Sequence, residues 1–163
     1  MASFSEHINQ AKRNLAFLDK THNNIADSWD WQVTVSFYVA VHLANAHIAN
    51  KINEHYRSHG QVDNALNPEI AISPTKFSED NYLAYRKLQG LARRSRYLCN
   101  DNISDHSTSV YFTYDKHFIK AIKNLNKLLK YFSTTYSISF DSIKINCVEL
   151  QNNELEYFKY AGS

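Results

Sequence analysis

The sequence predicts an all-α fold, an up-and-down bundle of four to five helices followed by a short, β-prone C-terminal tail. Three observations carry this. The 163 residues include only 3 Gly and 2 Pro, too few for the tight hairpins of an all-β chain and suited to long helices with short connections. Apolar residues recur at spacings of three and four through most of the chain. The length suits one domain that buries a core without staples. Residues 1–135 read as the bundle, and residues 136–163 as a tail that packs on it or on a partner.

The first helix is expected from about Ser5 to Ala26, where Phe4, Ile8, Ala11, Leu15 and Leu18 fall on one face. The second, about Ser28 to Asn50, carries two apolar stripes: Trp31, Val35, Tyr38, His42, Ala46 and Ala49, and then Phe37, Val41, Ala44 and Ile48. A helix apolar on two sides belongs at the centre of a bundle. The segment from Lys51 to Pro74 is punctuated by Gly60, Pro68 and Pro74 and reads as a long connection with one helical turn at Val62–Leu66. A third helix starts near Ser78, where acidic residues suit the helix dipole, and runs to about Leu98 with Ala84, Leu88, Leu91, Ser95 and Leu98 inward.

After the polar loop "CNDNISDHSTS", the fourth main helix covers about Asp115 to Phe132. Phe118, Ile122, Leu125, Leu129 and Phe132 form its apolar stripe, and Lys116, Lys120, Lys123, Lys127 and Lys130 repeat opposite. The stretch "SISFDSIKINCVEL" from Ser137 alternates and is expected to form a short hairpin or to lie along a partner.

Cys99 and Cys147 lie far apart without a CxxC pattern, and the N-terminal segment is amphipathic rather than a secretory leader, so the expectation is a reduced, cytoplasmic protein. The most apolar window, Trp31 to Ala49, is interrupted by Gln32, His42, Asn45 and His47, which makes it a poor membrane span. Net charge is +2, but its distribution is uneven. Residues 1–80 hold 6 Lys/Arg against 9 Asp/Glu, residues 81–130 hold 10 against 3, and residues 131–163 hold 2 against 4. The basic segment, at +7, spans two adjacent helices.

Three constellations carry candidate chemistry. Arg93, Arg94 and Arg96, together with Lys116, Lys120, Lys123 and Lys127, form a candidate phosphate-binding surface; the lysine face alone is also what any solvated amphipathic helix presents. The turn "EHYRSHG" places His55, Arg57 and His59 within five residues. An arginine that stabilises phosphate charge and a histidine that moves protons are the minimum for cutting RNA through its 2′-hydroxyl. The same side chains also read as helix caps or, for the two histidines, as an incomplete metal pair. Tyr38 and His42, one turn apart, read as a structural polar network or as part of a site. Nucleotide-cradling, zincin and nucleophile-elbow motifs are missing, and neither a cofactor nor a resident metal is expected.

The strings "DWQVTVSFYVAVHLANAHIA", "HYRSHG" and "YLAYRKLQGLARRSRY" together resemble the HEPN superfamily of small helical bundles. The residues that carry the resemblance are Asp30, Trp31, Phe37, Tyr38, Ala40, His42, Asn45, His55, Arg57, His59, Tyr85, Leu88, Ser95, Arg96 and Tyr97. It implies a bundle that dimerises, with RNA or nucleotides as ligands, and for many members ribonuclease activity in toxin–antitoxin or phage-defence systems. The catalytic members carry Arg, a spacer of four to six residues and then His. Here nine residues separate Arg96 from His106, and Arg57 stands two positions from His59. The resemblance thus implies an RNA- or nucleotide-associated protein with atypical or absent, metal-independent endoribonuclease activity. The alternative is a non-enzymatic dimeric interaction module that offers its tail, Ile138 to Leu150, to a partner.

Overall fold

A computed structural model describes residues 2–25, 27–97, 112–150 and 155–162. Five helices follow in order: α1 (Phe4–Asn24), α2 (Trp29–Ile52), α3 (His59–Leu66), α4 (Glu79–Tyr97) and α5 (Asp115–Tyr136). The chain then forms strand β1 (Ile143–Ile145), a short 3-10 turn (Val148–Leu150) and strand β2 (Phe158–Tyr160). Among the described residues the fold is an all-α bundle with two short strands. The expected end of α4 at Leu98, the loop 99–109 with Cys99, and His106 lie outside the described residues.

The helix ends follow from local chemistry. Ser3 caps α1 by accepting the Glu6 backbone N–H while the Glu6 carboxylate accepts from the Ser3 backbone, which satisfies two of the donors that a helix start leaves open. Asn53 and Ser137, both at φ 55, close α2 and α5 in the left-handed conformation. Ser58 caps α3 by accepting the Gln61 backbone N–H, so α3 begins earlier than the Val62–Leu66 turn read from apolar spacing.

Helices α1 and α2 run antiparallel, since His7 meets His42 near one end and His22 meets Gln32 near the other. Helix α2 packs against α1, α4 and α5, with α3 resting on it. Phe37, Leu43 and Ile48 of α2 are fully buried beside Leu18, Tyr85, Leu88, Phe118, Ile122 and Phe132. Burying a large apolar side chain stabilises by about 1.5–3 kcal/mol, so this central helix organises the core. Its outer stripe departs from expectation at one end. Trp31 is 63% exposed and Tyr38 39% exposed, Trp31 at the rim of an apolar hollow that it lines with Phe17 and Ile25.

The polar residues of α2 are almost all engaged. His47 donates from Nε2 to the Thr75 carbonyl at 3.0 Å, and its Nδ1 accepts from the Tyr136 hydroxyl at 2.6 Å. The Asn146 backbone N–H donates to His22 Nε2 at 2.9 Å, which leaves His22 Nδ1–H to donate to Gln32 Oε1 at 2.9 Å. The Asn45 side-chain oxygen accepts from the Tyr56 backbone. Ser36 donates to the Gln32 carbonyl.

The tail is part of this core: Ile143, Ile145, Leu150, Tyr157 and Phe158 are buried in the same apolar cluster as the helices. β1 and β2 pair in parallel, Ile143 opposite Phe158 and Ile145 opposite Tyr160. The expected hairpin is therefore corrected to a crossover connection, since a tight turn joins only antiparallel strands. Ile143, Ile145 and Leu150, which belong to the stretch offered to a partner in the alternative reading, pack on the bundle. No helix among the described residues is long and apolar enough to cross a membrane.

Candidate nucleic-acid interface

The cap at Ser58 makes His59 the first residue of α3, and its ring lies against Phe37 of α2 at 5.2 Å. Facing it, α4 turns Arg86, Gln89, Gly90, Arg93, Arg96 and Tyr97 to one side, positions that share a helical stripe. Together with Gly60 and Asp63 these residues line an open cavity of about 630 Å³.

The electrostatics of this cavity are cationic with one neutralised arm. Arg86 donates to Asp63 Oδ2. Arg93 and Arg96 have no carboxylate partner among the described residues; Arg96 lies over the Tyr97 ring at 5.4 Å and donates from Nε to the Ala92 carbonyl. Burial first, and then the Arg96 charge, lower the pKa of His59, so the imidazole is neutral near pH 7 and able to accept a proton. Beneath the cavity, the buried Tyr85 hydroxyl and Asp63 Oδ1 have no hydrogen-bond partner among the described residues. Burial and the Asp63 charge hold the Tyr85 hydroxyl protonated well above the usual tyrosine range.

The "EHYRSHG" trio does not converge. The cavity that His59 lines includes neither His55 nor Arg57. Arg57 is exposed. His55 accepts the Ala2 backbone N–H at 3.2 Å and meets His7 edge-on at 5.6 Å. His7 Nδ1 in turn lies 3.2 Å from His42 Nδ1. Burial and the two neighbouring imidazoles push His7 down to about 4, and burial lowers His42. Among the described residues no group of three or more His, Cys, Asp or Glu side chains is arranged to hold a metal ion. Tyr38 does not join His42 in this network, since it is 39% exposed and no hydrogen bond links the two.

The basic residues divide between two faces of α4. Arg93 and Arg96 line the His59 cavity, whereas Arg94 and Lys120 line a second groove, of about 600 Å³, between α4 and α5. Lys116 sits over the Tyr114 ring at 5.7 Å. Lys123 and Lys127 are exposed along α5. Sequence reading missed Gln89 and Asp63 in the cavity and His7 and His22 elsewhere. The three-and-four spacing of Arg86, Gln89, Arg93 and Arg96 was the available signal for the α4 face; no local signal places His59 opposite residues about thirty-five positions away.

Comparison with family models, with curated proteins and with solved structures returned no match.

Proposed function

We propose that this chain is a HEPN-like, RNA- or nucleotide-associated protein whose ligand phosphate lies between Arg93 and Arg96 beside His59. One observation carries the reading: an imidazole with a lowered pKa and two arginines without carboxylate partners among the described residues share one cavity. Arginine forks suit phosphate oxygens, and the exposed ring of Tyr97 offers a face on which an unpaired base stacks. Lys116, Lys123 and Lys127 extend the positive surface along α5. The prokaryotic defence or toxin–antitoxin setting comes with the resemblance.

The chemistry open to this arrangement is metal-independent. His59 takes the proton of a ribose 2′-hydroxyl, the oxygen attacks the adjacent phosphorus, and the arginines stabilise the charge that develops. Among the described residues the cavity holds one imidazole and no second histidine to protonate the leaving 5′-oxygen as its bond to phosphorus breaks, so binding with slow cleavage, or with none, is expected. The test is metal-free incubation with end-labelled single-stranded RNA, with cleavage and gel shift read on the same samples. Arg93→Ala/Arg96→Ala should weaken the shift about tenfold, while His59→Ala should keep the shift and lose any cleavage. A shift unchanged in the arginine variant rejects the site.

The second reading, a dimeric interaction module, is favoured by one separate observation. Phe17, Ile25 and Trp31, each more than half exposed, line an apolar hollow of about 360 Å³ between α1 and α2. A monomer by light scattering that is insensitive to Trp31→Asp counts against it.

A further inference from the structure

The groove between α4 and α5 differs in chemistry from the His59 cavity and shares with it only Arg86 and Gly90. Its walls carry Lys87 and Arg94 from α4 and Lys120 from α5, and its apolar part is Leu83 and Leu91. Leu83 is 45% exposed although it sits mid-helix. No ion pair engages Lys87 or Lys120 among the described residues, and no acidic side chain lines the groove. Asn124 donates its amide N–H to the Lys120 carbonyl at 2.6 Å, which turns its side-chain oxygen into an acceptor at the groove wall.

A nucleic-acid strand uses a cationic groove by laying phosphates on the cations and stacking bases on aromatic rings. Among the described residues no aromatic side chain lines this groove, and an exposed leucine gives a phosphate backbone nothing. Cations flanking a leucine floor are instead complementary to a segment with carboxylates beside aliphatic side chains. The groove runs along α4 from Leu83 to Arg94, which at 1.5 Å per residue is roughly 17 Å, the length of about three helical turns.

We infer that the α4/α5 groove is a docking site for an acidic amphipathic helix of a protein partner, which seats its aliphatic face on Leu83 and its carboxylates on Lys87 and Lys120. The occupant follows the helix-in-groove pattern, with anchors spaced by three and four residues. This site stands independently of RNA binding at the His59 cavity.

The experiment uses the full chain and a fluorescein-labelled synthetic helix of about three turns with leucines on one face and glutamates on its flanks, read by fluorescence anisotropy. Saturable binding is expected, weakened roughly tenfold by Lys87→Glu/Lys120→Glu and restored in that variant when the glutamates of the peptide are replaced by lysines. Leu83→Asp should weaken binding with the charges intact. Arg93→Ala/Arg96→Ala should leave it unchanged, which separates this site from the phosphate site. Both exposed lysines tolerate substitution without unfolding, and a thermal melt of each variant verifies it. Absence of saturable binding, no rescue by the lysine peptide, or stoichiometric displacement by a single-stranded oligouridylate would each overturn the assignment, the last in favour of RNA in this groove.

Discussion

His47, in the interior between α2 and α5, and His59, at the α3/α4 surface, are chemically the same residue in opposite situations. Both ring nitrogens of His47 are committed, one to the Thr75 carbonyl and one to the Tyr136 hydroxyl, and the ring is 2% exposed. His59 makes no hydrogen bond to any described residue and shares its cavity with Arg93 and Arg96. A committed imidazole holds a fold together. An uncommitted, neutral one beside cations without a carboxylate partner among the described residues is available to a ligand. Among the other described histidines, His22 joins α1 and α2 to the residue that follows β1, His117 accepts the Tyr114 backbone N–H at the start of α5, and His7, His42 and His55 form a small cluster of their own.

The contrast is broken most forcefully at His47. His47→Leu strands the buried Thr75 carbonyl and removes a partner of the part-buried Tyr136 hydroxyl, and should cost about 3 kcal/mol in urea unfolding while RNA binding per folded molecule stays unchanged. A cost below about 1 kcal/mol would mean that the ring is not structural.

Acid should produce an effect of similar size. Burial holds His47 at about 4 in the folded chain, against an ordinary 6.5. Because the folded value is the lower one, the unfolded chain binds the proton first as pH falls. Stability is therefore complete above pH 6.5, declines between 6.5 and about 4, and levels off below. His47 accounts for roughly 3 kcal/mol of that loss, and His7, also held at about 4, adds a smaller share from its more solvated position. Urea midpoints at a series of pH values measure it, and the decline should shrink in His47→Leu.

Smaller effects belong to the cavity. Arg93→Ala/Arg96→Ala should weaken single-stranded RNA about tenfold and reduce the slope of log affinity against log salt by about 1.4, the value for two lost phosphate contacts. Stability should stay within about 0.5 kcal/mol of the parent. Asp63→Asn removes the carboxylate that holds Arg86, so RNA should bind about two- to threefold tighter; weaker binding would mean that the ion pair positions the site. Lys123→Ala/Lys127→Ala, on the exposed face of α5, should change affinity least, by about twofold or less at physiological salt.

The helices were legible because their signals are local. The spacing of Phe118, Ile122, Leu125 and Leu129 states which face of α5 is buried, and the double stripe of α2 states that it lies at the centre. Trp31 misled for the same reason: periodicity gives the phase of a helix but not how closely its neighbours cover it, and Trp31 lies over an open hollow beside Phe17 and Thr21 of α1. The parallel pairing of β1 with β2 escaped because alternation marks a strand without naming its partner. The candidate site was half legible. The arginine face of α4 is written at helical spacing, but its meeting with His59 depends on the cap at Ser58 and on the packing of α3 over Phe37, and neither is encoded near Arg93. His55, Arg57 and His59 are close in sequence, yet the chain turns between them and sends them to different surroundings.

The bond between the Asn146 backbone and His22 spans 124 residues, while the contacts of α1 with α2 close after a four-residue turn. Loop closure sets an order in time: the local helical hairpin forms early, and the tail is expected to settle on a bundle already assembled. Contacts made after the transition state act on the rate of opening rather than on the rate of closing. The tail is thus expected to act as a latch on the lifetime of the native state, so that loosening it should shorten how long the fold persists without slowing how fast it arrives.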